Sequence, residues 1–73
     1  MNPLQLTKMV NDIAAFFASE SGEEKAAIDV SGHMQRFWDP RMRREIVAHY
    51  VNGGEGLTEL SKTAVGLLAR ASQ

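Results

Sequence analysis

The Asp39-Pro40 pair, close to the middle of a 73-residue chain, constrains the fold more than any other feature. Aspartate is a favoured helix N-cap because its carboxylate accepts the free amide hydrogens of the first turn. Proline at the next position has a φ suited to that turn and lacks only a hydrogen the helix would not use. The same ring pushes the residue before it out of the α region. One helix should therefore end at Phe37-Trp38 and another begin at Pro40, with almost no loop between them. The two are expected to meet at a steep angle instead of lying antiparallel.

The flanking segments read as helices as well. Pro3 suits a first turn, with Asn2 before it as a cap. Leu6, Met9, Val10, Ile13, Phe16 and Phe17 then recur at three- and four-residue steps, which is one face of an amphipathic helix. Ala14, Ala15 and Ala18 favour the helix and admit a close neighbour. The stretch Ser19-Glu20-Ser21-Gly22 should stop it. Ser21 or Gly22 is expected to cap a second helix, with Glu23 and Glu24 at its positive end. Its stripe is Ala27, Val30, Met34 and Phe37, flanked by Ile28 and Trp38. Gly32 within it implies either a close backbone neighbour or a kink, since glycine there costs about 0.5–1 kcal/mol relative to alanine.

A third helix runs from Pro40 to about Val51, with Met42, Ile46, Val47 and Tyr50 on its apolar side and Asn52-Gly53-Gly54 as its stop. Thr58 and Glu59 suit the start of a fourth, whose stripe is Leu60, Ala64, Leu67, Leu68 and Ala71. No segment has strand periodicity and no repeat is evident. The expectation is all-α: a single small compact domain over residues 1–73, built of about four helices with a steep Asp-Pro corner between the second and third.

Composition narrows the function. With no cysteine, the chain can hold neither an iron–sulfur cluster nor a cysteine-based zinc site. Its start lacks a basic region followed by an apolar run, and no segment approaches the roughly 20 apolar residues that cross a bilayer. A cytoplasmic location away from membranes is therefore expected. Residues 1–35 carry two lysines against five carboxylates, and residues 36–73 carry six cations against four, for a net charge of −1. That balance does not favour nucleic acid, which selects a larger basic excess. It suits steering toward a protein partner.

Catalytic chemistry finds little to work with. Glu45 and His49 stand four apart on one helix and read as a surface hydrogen bond rather than a metal pair. His33 reads as a polar group at the edge of a core or interface. Gly53-Gly54-Glu55-Gly56 reads as a turn rather than a phosphate cradle. No nucleophile, base and orienting group can be assembled. The distinctive material is the corner itself. Arg41, Arg43 and Arg44 lie in the first turns of a helix, where cations oppose the macrodipole, and so call for a compensating partner. Asp39 and Glu45 supply part of one; the arginines then read as a solvated face with local pairs, as a match for an acidic protein patch, or as a site for nucleic acid or a cofactor phosphate. Phe37 continues the second helix's stripe and is expected in the core. Trp38, about 100° away on a helix, is the better candidate for an interface anchor. Phe16 and Phe17 pose the same choice on the first helix.

Three strings bear a family resemblance: Lys8-Met9-Val10-Asn11-Asp12-Ile13-Ala14-Ala15-Phe16-Phe17, His33-Met34-Gln35-Arg36-Phe37-Trp38-Asp39-Pro40-Arg41-Met42-Arg43, and Gly53-Gly54-Glu55-Gly56-Leu57. Together they resemble the delta subunit of NAD-dependent formate dehydrogenases, soluble molybdenum or tungsten enzymes of bacteria. The likeness extends from about Leu6 to Leu68. Its most specific part is His33-x-x-x-Phe37-Trp38-Asp39-Pro40-Arg41-Met42, and the last helix is its least diagnostic.

The resemblance implies that formate oxidation and NAD reduction belong to larger subunits, which carry molybdopterin guanine dinucleotide, iron–sulfur clusters and flavin. This chain would itself hold no cofactor and be non-catalytic. It would be an accessory subunit that aids assembly or stability of the large catalytic subunit. On physical grounds the contact is assigned to Phe37, Trp38, Arg41, Met42 and Arg44. Three alternatives stand beside it: a transient maturation chaperone for cofactor insertion, a small helical DNA-binding regulatory module, and a homodimer of the isolated chain that buries Phe17 and Trp38.

Overall fold

The computed structural model describes residues 2–71, and these form four helices. Helix α1 spans Pro3–Ser21, α2 Glu23–Phe37, α3 Pro40–Val51 and α4 Glu59–Ala71. No strand occurs among the described residues. The all-helical expectation therefore stands, and the helix boundaries lie where the capping chemistry puts them. The Asn2 side chain accepts from the Leu4 amide at 2.8 Å, and Asp39 does the same for Met42 at 2.9 Å. Between α1 and α2 a single residue, Gly22, serves as the end of one helix and the start of the next. Its φ of 79° is a conformation that side chains disfavour, so glycine and not Ser21 occupies the junction.

One core joins all four helices. Leu6, Val10 and Ala14 of α1 meet Ala27, Val30 and Met34 of α2, Ile46 of α3, and Ala64, Val65 and Leu68 of α4, with Leu57 closing in from the preceding loop. Helix α2 packs along both α1 and α4, whereas α3 rests on α4 and α1 and scarcely touches α2. Only Ile46 of α3 is fully buried, which makes it the most peripheral helix.

The apolar stripes are rotated from the sequence expectation. On α1 the buried line is the i, i+4 series Leu6-Val10-Ala14, and Phe16 stands 60% exposed. On α4, Ser61 and Val65 are buried while Leu60 and Leu67 are half-buried and Ala71 is exposed. Small side chains at Ala14, Ala26, Ala27 and Ala64 occupy the helix contacts, so the helices approach closely and the bulkier residues move to the flanks. Gly32 also departs from expectation. No second backbone lies near it: an added Cβ would meet only the Arg36 guanidinium, at 3.7 Å.

A polar staple holds the loop between α3 and α4. From α1, Asn11 accepts at Oδ1 from the Thr58 amide (3.1 Å) and the Ser61 hydroxyl (2.7 Å), and donates to the Gly56 carbonyl (2.9 Å). Thr58 in turn caps α4 by accepting from the Ser61 amide at 3.2 Å. At the other end of the loop, His49 Nε2 donates to the Glu55 carbonyl at 2.7 Å, an acceptor that requires the proton on that nitrogen. His49 thus ties the loop, and its contact is to Glu55 in place of the expected Glu45 pairing.

Candidate functional site

The corner between α2 and α3 is built from backbone chemistry first. Helical conformation ends at Phe37. Trp38 is extended, with φ −88° and ψ 137°, and Asp39 follows at φ −71° and ψ 164°. The change at Trp38 breaks the 100° helical step assumed for Phe37 and Trp38, and it reverses their expected places. Trp38 turns into the core and is 5% exposed, whereas Phe37 stands 69% exposed. Phe37 is therefore the aromatic the corner presents, and Trp38 is a core residue that fixes it.

The arginines of α3 divide by partner. Arg43 reaches back to the end of α2 and donates to the carbonyls of Trp38 (2.5 Å) and Gln35 (3.2 Å). A cation that opposes the dipole of its own helix thereby sits at the negative end of the preceding one, where it is favoured. Arg41 faces Glu45 at 3.5 Å, but with its side chain 79% exposed this pair contributes little to stability. Arg44 is exposed and, among the described residues, makes neither a hydrogen bond nor an ion pair. Met42 is half-buried against the core. Of the five residues assigned to the contact, Phe37, Arg41 and Arg44 thus face outward, and Trp38 and Met42 face inward.

The structure adds a feature that the sequence stripes concealed. Four rings run from α1 to the end of α2: Phe16 and Phe17 at 5.2 Å, Phe17 and His33 at 6.2 Å, and His33 and Phe37 at 4.8 Å between centroids. His33 and Phe37 are one helical turn apart, and Phe17 reaches them across the helix pair. The two ends of the row are exposed. The spacing of His33 and Phe37 was available in the sequence; the partner ring on α1 was not.

No three His, Asp or Glu side chains among the described residues converge to hold a metal ion, and the chain has no cysteine for an iron–sulfur cluster. The donor set does not fit the redox groups that the resemblance places on other subunits. Among the described residues no helix is long and apolar enough to cross a membrane.

The fold and surface define a small four-helix protein whose unusual surface is a basic, aromatic corner. Residues 5–65 match the family model described as NADH-dependent formate dehydrogenase delta subunit FdsD. The chain belongs to that family, as the three strings implied. No curated protein and no solved structure matches it.

Proposed function

We propose that the chain is a non-catalytic accessory subunit of a cytoplasmic NAD-dependent formate dehydrogenase. It aids assembly or stability of the molybdopterin-bearing catalytic subunit. Formate oxidation, NAD reduction and the redox cofactors reside in the other subunits. Membership of the delta-subunit family is the observation that carries this reading. The corner supports it from the chain's own chemistry: it exposes the Phe37 ring, the Arg41 side chain paired only at the surface with Glu45, and the unpartnered Arg44. Aromatic rings and arginines are the side chains that concentrate binding energy at interfaces. Phe37, Arg41 and Arg44 make the contact, and Trp38 and Met42 hold the corner in shape from within.

Affinity purification of a tagged copy from its native cell tests this reading, with the co-eluting proteins identified and formate-dependent NAD reduction assayed. Stoichiometric recovery of the large subunits in active enzyme is the expected result. Recovery only of inactive, cofactor-poor large subunit would replace it with a maturation chaperone. Recovery of neither, with salt-sensitive binding to duplex DNA, would revive a regulatory module.

A further inference from the structure

Helix α3 leaves apolar residues at the surface beside its core contact. Ile46 is buried and Val47 packs, half-buried, against the same core, yet Pro40, Ala48 and Val51 of this helix are exposed. Val51 is 72% exposed. Pro40, Arg43, Arg44, Val47 and Ala48 line an open groove of about 510 Å³ along this helix. A surface helix ordinarily turns its apolar residues inward and its polar ones out, so Pro40, Ala48 and Val51, exposed beside the arginines, are apolar surface that the core does not use.

We propose that this groove receives an acidic segment of the partner subunit, an apolar side chain lying against Val47 and Ala48 and a carboxylate pairing with Arg44. The inference rests on the accessory-subunit reading and names the chemistry that its partner presents. Charge decides the occupant. Arg43 spends its guanidinium on the α2 carbonyls, and Arg41 faces Glu45. Arg44 alone of the three has no partner among the described residues, and it stands exposed at the edge of the groove. A carboxylate from outside supplies the missing partner, and the forked guanidinium suits its geometry. Asp39 and Glu45 interrupt the basic surface, so the groove presents two arginines, only one of them unpartnered, rather than the continuous basic track that nucleic acid requires.

Ala48 gives the discriminating test, because it is exposed and takes a long side chain of either sign without entering the core. The affinity of the tagged chain for the catalytic subunit, purified without its delta subunit, is measured for the wild type, Ala48→Glu, Ala48→Arg and Arg44→Glu, with thermal melts confirming that each variant folds. Arg44→Gln, which keeps length and loses charge, is the second probe should reversal disturb the helix. We expect Arg44→Glu and Ala48→Glu to weaken binding roughly tenfold or more, and Ala48→Arg to weaken it far less, with affinity falling as salt rises. Equal losses in Ala48→Glu and Ala48→Arg would overturn the acidic occupant. Wild-type affinity in Arg44→Glu and Ala48→Glu would overturn the groove while leaving the accessory-subunit reading intact. Failure of the wild-type chain to bind the catalytic subunit would overturn both. Binding that nuclease treatment abolishes would overturn the inference in favour of nucleic acid.

Discussion

The Arg43 guanidinium donates to the Trp38 carbonyl at 2.5 Å, so the first turns of α3 close over the last carbonyls of α2. Helices α2 and α3 share little packing, and this contact with its neighbour at Gln35 is a principal tie across the corner. Arg43→Ala should lower stability by about 1–2 kcal/mol, the range for a charge-assisted hydrogen bond after loss of its exposed fraction. Arg43→Lys should recover only part of that, because the ammonium sits on a shorter side chain and is more strongly hydrated than the guanidinium nitrogen that reaches both carbonyls. Urea unfolding of the three proteins measures both.

Phe37 and Trp38 should separate cleanly under mutation. Trp38→Ala removes a buried indole and should cost about 3–5 kcal/mol, enough to threaten folding of so small a chain. Loss of a partner in that variant would then follow from unfolding. Phe37→Ala and Phe16→Ala remove exposed rings and should change stability by no more than about 0.5 kcal/mol. If the aromatic row contributes to the contact with the catalytic subunit, these two variants will fold normally and co-purify poorly. Circular dichroism melts beside pull-downs give the two readouts on the same samples.

Asn11 serves three partners that no other residue type can satisfy together, two donors at its oxygen and one acceptor at its nitrogen. Asn11→Ala leaves the buried Ser61 hydroxyl and the start of α4 poorly held, and should cost about 1–3 kcal/mol. For a chain of this length each kcal/mol corresponds to about 4–8 °C in Tm. Asn11→Asp should recover part of the loss, since it keeps the oxygen acceptor and sets a carboxylate against the Gly56 carbonyl.

Gly32→Ala should stabilise the protein. The added Cβ meets only the flexible end of Arg36, at 3.7 Å, and Gly32 lies within a continuous α2. Removing the glycine entropy penalty should contribute about 0.5–1 kcal/mol. By contrast, Gly56→Ala places a side chain at φ 88° with its Cβ 3.3 Å from the Thr7 methyl, and should destabilise. A rise in Tm for the first and a fall for the second is the expected pair; an unchanged or lower Tm for Gly32→Ala would mean that the small residue is required for contact with a partner.

Helix boundaries were legible because capping is local. Asn2, Gly22, Asp39-Pro40, Asn52-Gly53 and Thr58 act on amides and carbonyls within a few residues of themselves, and each stands where a helix starts or stops. The family was legible too, since its strings are continuous in sequence. Of the candidate site, Arg41 and Arg44 were read as surface residues and are exposed, but the reading exchanged the roles of Phe37 and Trp38. It treated two neighbours as points on one helix. The helix ends between them, and an extended residue sends its side chain in a direction that periodicity cannot give.

By itself, then, the sequence determined an all-helical chain of four segments, their limits, and a basic aromatic corner without cysteine chemistry, because propensity, capping and composition are properties of residues near one another. Only the tertiary structure decided which flank of each helix is buried, that Arg43 caps the preceding helix, that Asn11 reaches the loop before α4, and that Phe16 and Phe17 join His33 and Phe37 in one row. Those outcomes depend on how closely the alanine-lined faces let the helices approach, and that distance is set by all four helices at once.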